Sequence, residues 1–258
     1  NVLGINTAIF SPTGGSVGIG FSIPANLAKP IIEQLKKYGK TQRGWLGVRI
    51  QELTPEISKS LGLKNEDGVL ISMVNPDEPA EKGGLKSGDV ILEFNGKKIK
   101  DVKSLQRTVA ESAVESKAVV KVWRDKKIRS FTVKLGELEK YSSEEKKPVT
   151  KNDDPPNNEV EIDKVGLRFV AINNATRQKY NINKSISGVV ISAVKRDSIA
   201  AKSGLNVGMV ISQIAQKNID SPDKAREIFD DFLKRKADSI LLQVFEGDFS
   251  RFLVLKLK

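Results

Sequence analysis

The feature that most constrains this chain is an internal repeat. Residues 68–105 align with 188–225 without a gap, at a constant offset of 120 and with about 15 of 38 positions identical. The identities include Gly68/Gly188, Val69/Val189, Ile71/Ile191, Ala80/Ala200, Gly84/Gly204, Leu85/Leu205, Gly88/Gly208, Val90/Val210 and Ile99/Ile219. A period this long exceeds a solenoid unit and means two copies of one domain. Between the copies, residues 137–164 carry 5 basic and 9 acidic side chains, a net −4 in a chain of net +11, and few large apolar groups. Such a stretch buries too little surface to offset its ordering entropy. It is expected to be a flexible linker that lets the copies move independently. The organisation expected is therefore a leading segment over 1–41, copy one over 42–136, the linker, and copy two over 165–258.

Copy one reads as an α+β unit. Leu46–Ile50 alternates and is β-branched, Val69–Val74 and Val90–Phe94 are apolar runs, and Val119–Trp123 and Ile128–Leu135 flank Asp125-Lys126-Lys127, so five strands are predicted. Asn95-Gly96 is a type I′ hairpin signal. Pro79 opens a short helix that Gly83 and Gly84 close. Asp101 is placed to cap the main helix, whose Val102, Leu105, Val109 and Ala113 share one face. Copy two repeats this order, with Ser221 as cap, Pro222 at the first helical position, Ala225, Phe229 and Phe232 on the apolar face, and strands at Leu241–Phe245 and Phe252–Leu257. The expected fold is a small bent sheet with one main helix, twice.

Residues 1–41 cannot form a domain alone. They read as two short strands around a Gly/Ser/Pro loop, then a helix with Asn26 as cap, Leu27, Ile31 and Leu35 as its stripe and Gly39 as its stop. Their apolar faces need a larger β structure.

Composition removes several chemistries. With no Cys and no His, this chain holds no disulfide, no Cys-based zinc site, no cysteine nucleophile and no Ser-His-Asp triad of its own. Ser11, Ser16 and Ser22 have no imidazole to serve as base and read as turn residues. No apolar run approaches the length of a membrane span. The positive charge is spread over strand- and helix-forming segments without interleaved aromatics, which points to a solvated basic surface and not to a nucleic-acid partner. No metal and no cofactor are expected.

An open sheet with a helix beside one strand leaves a groove into which an extended peptide adds as another strand. The segment Gly44-Trp45-Leu46-Gly47-Val48 precedes and enters such a strand, and a Gly-containing turn there presents successive backbone N–H groups to a carboxylate. Arg43 adjoins it and adds positive charge. Leu46, Val48, Ile50, Leu105 and Val109 supply an apolar pocket.

Glycine-flanked Trp45-Leu46-Gly47-Val48 resembles the carboxylate-binding loop of PDZ domains. Asp67-Gly68-Val69-Leu70-Ile71 and Pro79-Ala80-Glu81-Lys82-Gly83-Gly84-Leu85-Lys86-Ser87-Gly88-Asp89-Val90-Ile91 resemble the PDZ domains of HtrA/Deg serine proteases. In copy two, Gly166-Leu167-Arg168-Phe169 stands where that loop stands, with Arg168 in place of the glycine; it either obstructs the groove or supplies a charge. Residues 1–41 resemble the end of a trypsin-like HtrA protease domain. The resemblance implies that the strand at Thr7-Ala8-Ile9 pairs with substrate and that Asn6, Ile9 and Ile19 wall a specificity pocket.

The resemblance further implies a periplasmic serine endopeptidase of protein quality control and the stress response, oligomeric in trimers or multiples. Its first PDZ domain would take hydrophobic C-termini or unfolded polypeptide segments and shift the protease toward its active arrangement, while the triad would come from sequence outside this chain. The other reading open to the sequence is a non-enzymatic tandem PDZ adaptor, to which the orphaned strands of 1–41 would be of no use.

Overall fold

In the computed structural model, which describes residues 1–12, 14–141 and 159–257, the repeat appears as two sheets of matching strand order. The chain begins with a hairpin, β1 (Gly4–Ile9) and β2 (Gly20–Pro24), followed by α1 (Ala25–Tyr38). Asn26 lies inside α1 and does not cap it: Pro24 holds the cap position, and the Ala25 amide donates to the Leu3 carbonyl at 2.9 Å. Gly39 closes the helix in the left-handed region at φ 70°, as its position predicts. The stripe of Leu27, Ile31 and Leu35 is exposed, as are Ile9, Phe21 and Ile23.

Copy one contains β3 (Gly44–Trp45), β4 (Val48–Glu52), α2 (Pro55–Leu61), β5 (Val69–Val74), α3 (Pro79–Lys82), β6 (Val90–Phe94), β7 (Lys97–Lys98), α4 (Val102–Ala110), β8 (Lys117–Arg124) and β9 (Lys127–Lys134). Its sheet runs β4-β5-β6-β8-β9, with β7 beside β6. The pleat sorts side chains by parity: Ala118, Val120 and Val122 are buried while Lys117 and Val119 face out. Asp101 caps α4 through a capping box with Ser104. The helix ends at Ala110, so Ala113 falls beyond it, in the turn where Ser112 N–H donates to the Val109 carbonyl at 3.1 Å.

The ends of the expected linker are built into the copies. Strand β10 (Gly136–Glu137) pairs with β3, and helix α5 (Leu138–Tyr141) follows. Strand β11 (Glu159–Ile162) joins the second sheet. Few large apolar groups suffice here because each segment borrows a partner: Val160 and Ile162 enter the core of copy two, and Glu137 is paired to lysines. The rest of that expected linker, 142–158, lies outside the described residues.

Copy two adds β12 (Leu167–Ala171), α6 (Asn174–Tyr180), β13 (Val189–Val194), α7 (Ile199–Lys202), β14 (Val210–Ile214), β15 (Lys217–Asn218), α8 (Pro222–Lys234), β16 (Ser239–Glu246) and β17 (Phe249–Lys256). Its sheet runs β11-β12-β13-β14-β16-β17, with β15 beside β14. This sheet has one strand more than the main sheet of copy one, and that strand is β11.

The copies are not independent bodies. One apolar cluster joins Leu53, Ile57, Leu61, Leu70 and Val90 of copy one to Leu241 and Phe252 of copy two. Among the described residues no strand pairs with the outer edge of β17, and the Gln51 side chain bonds the Phe252 backbone there. Its Oε1 accepts from the Phe252 N–H at 2.8 Å and its Nε2 donates to the Phe252 carbonyl at 3.1 Å. A bulge between Arg49 and Ile50 leaves Ser72 without a register partner on β4. Its carbonyl instead accepts from Gln243 Nε2 at 2.7 Å and Ser250 Oγ at 2.8 Å.

Candidate functional site

Strand β4 pairs with β5 on one side, and among the described residues no strand covers its other edge. Helix α4 runs beside that edge and leaves a groove of about 690 Å³. All eight residues expected there line it: Arg43, Trp45, Leu46, Gly47, Val48, Ile50, Leu105 and Val109. The sequence reading missed Gln106 and Ala110 on the helix, Leu138 at one end, and Arg49, Phe249 and Ser250 at the other. No local signal marks Phe249 and Ser250, because they belong to copy two and arrive through the packing of β17 against β5.

The loop entering β4 is shaped by two glycines. Gly44 lies so close to the Val109 carbonyl that a Cβ would collide with it, which brings the loop against α4. Gly47 has φ 77°, and a Cβ there would run into the Glu78 side chain. Glu78 is buried beneath the loop, its Oε2 accepting from Trp45 Nε1 at 2.7 Å and Asn75 Nδ2 at 3.2 Å. Among the described residues the Leu46 and Gly47 amides donate to no backbone acceptor.

Arg43 does not bring a free charge to the groove. Its Nε meets Glu139 Oε1 at 2.9 Å, and its backbone N–H donates to Glu139 Oε2 at 3.2 Å. Leu138 lines the groove beside Arg43, and its amide donates to the Arg43 carbonyl at 2.9 Å. Beside it, Lys40 at 2.8 Å and Lys140 at 3.1 Å hold the Glu137 carboxyl below the usual carboxylate range. A lowered folded-state pKa contributes stability above the unfolded value and loses it as pH falls through the folded one. Acidification below about pH 4 is thus expected to loosen the β3–β10 pairing. Trp45 emission, read in a Trp123→Phe background, should report this step, and Glu137→Gln should remove it; identical acid titrations with and without Glu137→Gln would refute the assignment.

Copy two supplies an internal comparison. Gly166 has φ 75°, and a Cβ there would run into Ser198, the repeat counterpart of Glu78. Asn75 N donates to the Gly47 carbonyl at 2.9 Å, and Lys195 N to the Gly166 carbonyl at 2.9 Å. The glycine counterpart of Gly47 is therefore Gly166, and Arg168 does not replace it. Arg168 lies on β12 with Leu167 and Phe169, at the position that Arg49 holds on β4: each arginine precedes the same bulge. The offset of 120 drops to 119 upstream of Gly68 because copy two has one more residue between its first two core strands; setting Arg168 against Gly47 takes an offset of 121 and misplaces the loop by two residues.

The edge of β12 is filled. Strand β11 pairs along it antiparallel, with Ile162 opposite Leu167, Glu161 opposite Arg168 and Val160 opposite Phe169. Val160 and Ile162 are buried against the core that α8 covers. At the turn, the amides of Val165 and Gly166 donate to the Ile162 carbonyl at 3.1 and 2.9 Å. The counterparts of those two amides in copy one are Leu46 and Gly47.

In the leading hairpin, Asn6, Thr7, Ala8, Ile9 and Ile19 lie together. Asn6 Oδ1 accepts from Ser22 Oγ at 2.7 Å, Thr7 Oγ1 donates to the Phe21 carbonyl at 3.1 Å, and the Phe10 amide donates to the Ile19 carbonyl at 3.0 Å. Thr7 and Ala8 sit at a bulge, and Ile9 and Ile19 are exposed.

Comparison with known proteins agrees with this architecture. The PDZ domain family matches residues 44–135. A probable periplasmic serine endoprotease, DegP-like, from Rickettsia conorii is 41% identical over 261 residues, covering 99% of this chain and 50% of that protein. The protein of the same name from Brucella suis is 37% identical over 254 residues, covering 98% of this chain and 47% of its own length. The chain thus spans about half the length of the curated relatives it matches. Among solved structures, the HtrA-type protease AlgW with a decapeptide is 41% identical over 53% of this chain and 42% of that one, with a TM-score of 0.45. With a PDZ domain in copy one and DegP-like relatives at 37–41% identity across nearly all its residues, the chain belongs to the HtrA/Deg family.

Proposed function

We propose that this chain is the substrate-binding and regulatory part of a periplasmic HtrA/DegP-like serine endopeptidase acting in protein quality control. Copy one takes the hydrophobic C-terminus of an unfolded polypeptide as an added strand on β4. The ligand backbone pairs with the open edge, its carboxylate accepts from the Leu46 and Gly47 amides, and its last side chain enters the pocket of Leu105 and Val109. One observation carries this reading: the same edge in copy two is paired by a strand whose final carbonyl sits on the two equivalent amides.

No His is present in these 258 residues, so hydrolysis is assigned to groups that this chain does not contain, in a parent enzyme whose protomers cooperate. The adaptor reading leaves the exposed apolar side chains of β1, β2 and α1 without a use. Hydrogen bonds to a charged group are worth roughly 1.5–3 kcal/mol, and burying one aliphatic side chain adds about as much. After association costs, micromolar affinity is expected. Amidating the terminus of a bound peptide should cost about 1–3 kcal/mol, measured by calorimetric titration. Equal affinities for acid and amide would overturn the assignment of the loop.

A further inference from the structure

Copy two shows how a strand lies on this kind of edge, and it shows which side chains face outward there. Along β11, Val160 and Ile162 turn into the core, while Glu159 and Glu161 face out. Both outward carboxylates approach Arg168, whose Nη2 meets Glu161 Oε2 at 2.9 Å and whose Nη1 lies 4.0 Å from Glu159 Oε2. Arg49 is the counterpart of Arg168, on the strand just before the same bulge and downstream of the same left-handed glycine. It lines the groove of copy one.

Copy two also fixes where Arg49 points. The Asp248 carbonyl accepts from Arg49 Nη1 at 2.6 Å, and the Phe249 ring lies 5.5 Å from the guanidinium carbon. Phe249 is 77% exposed and lines the mouth of the groove. A guanidinium carries five N–H donors, so these contacts leave others to meet a ligand.

We infer that Arg49, held in place by the β16–β17 hairpin of copy two, selects the penultimate residue of the peptide bound by copy one, and that the preferred ligand is a C-terminus alternating acidic and apolar residues. The apolar residues occupy the last and third-last positions, where Ile162 and Val160 sit in copy two. The carboxylates face Arg49, as Glu161 and Glu159 face Arg168. This rests on the proposed strand addition at β4 and adds the ligand chemistry of its outer face.

The test uses the whole 258-residue chain and three peptides of equal length with free carboxyl termini, ending in Glu-Val-Glu-Ile, Gln-Val-Gln-Ile and Lys-Val-Lys-Ile. Exposed ion pairs of this kind set the scale, so each replacement step should weaken binding roughly two- to fivefold. The spread should shrink at high salt. Arg49→Gln should flatten the order, and Arg49→Glu should reverse it. Phe249→Ala should narrow it by freeing the guanidinium. Three equal affinities in the native chain, or an order that survives Arg49→Glu, would overturn the role of Arg49 while the neutral peptide still reports a working groove. Failure of all three peptides to bind would overturn the strand-addition reading, and this inference with it.

Discussion

Gly47→Glu is expected to abolish saturable binding of a C-terminal peptide to copy one, raising the Kd at least about a hundredfold, or roughly 2.7 kcal/mol. Three effects act together. An L-residue held near φ 77° pays about 1–2 kcal/mol in backbone strain. Its Cβ meets the buried Glu78 side chain, so the loop must shift and carry the Leu46 and Gly47 amides with it. The new carboxylate also lies beside the position proposed for the ligand's own. Gly47→Ala keeps the first two effects without the charge and should lie between. Circular dichroism separates loss of binding from loss of fold. An affinity unchanged by Gly47→Glu in a folded chain would remove the loop from the site.

Phe252→Ala should destabilise the chain by about 3–5 kcal/mol and split its thermal unfolding into two transitions. The first half of that expectation follows from burial, since Phe252 sits among Leu53, Ile57, Leu61 and Leu70 with almost no exposed surface. The second follows from its place: that cluster is shared between the copies, and the Gln51 amide reads the Phe252 backbone across the same seam. Differential scanning calorimetry of the native chain should show one dominant transition. If Phe252→Ala leaves a single transition at an unchanged temperature, the seam contributes nothing and the copies are independent after all.

Much of this was legible in the sequence, and the reasons are local. The strands Val69–Val74 and Val90–Phe94 and the helix at Pro79 follow from apolar runs and from punctuation by Pro and Gly. The Asn95-Gly96 turn takes positive φ at both residues, 48° and 78°, as its type requires. The eight residues expected in the groove converge there because they lie on two neighbouring elements whose periods, two and 3.6, fix their faces.

The failures share a different cause. Asn26 suits a cap by residue type, but Pro24 holds that place and a backbone bond from Ala25 to Leu3 accompanies a helix that starts two residues earlier. Composition puts Glu137 and Val160 in a flexible linker because it sees a segment without its partners. Two lysines and the core of copy two supply those partners. One clue to the seam was present. Val69-Leu70-Ile71 is apolar without alternation, the pattern of a strand covered on both faces. Val69 and Ile71 face the core of copy one, and Leu70 faces the shared cluster.

The sequence by itself determined the repeat, the α+β class and the family, because each depends on short-range periodicity or on identity between residues. Only the tertiary structure decided that β12 is covered by its own chain while β4 has an edge that no strand covers among the described residues, and that copy two helps wall the groove of copy one. Edge pairing and interface packing join residues far apart along the chain, as Arg49 joins Asp248, and the free energy of such contacts is set by which surfaces meet. No property of the separate segments encodes that choice.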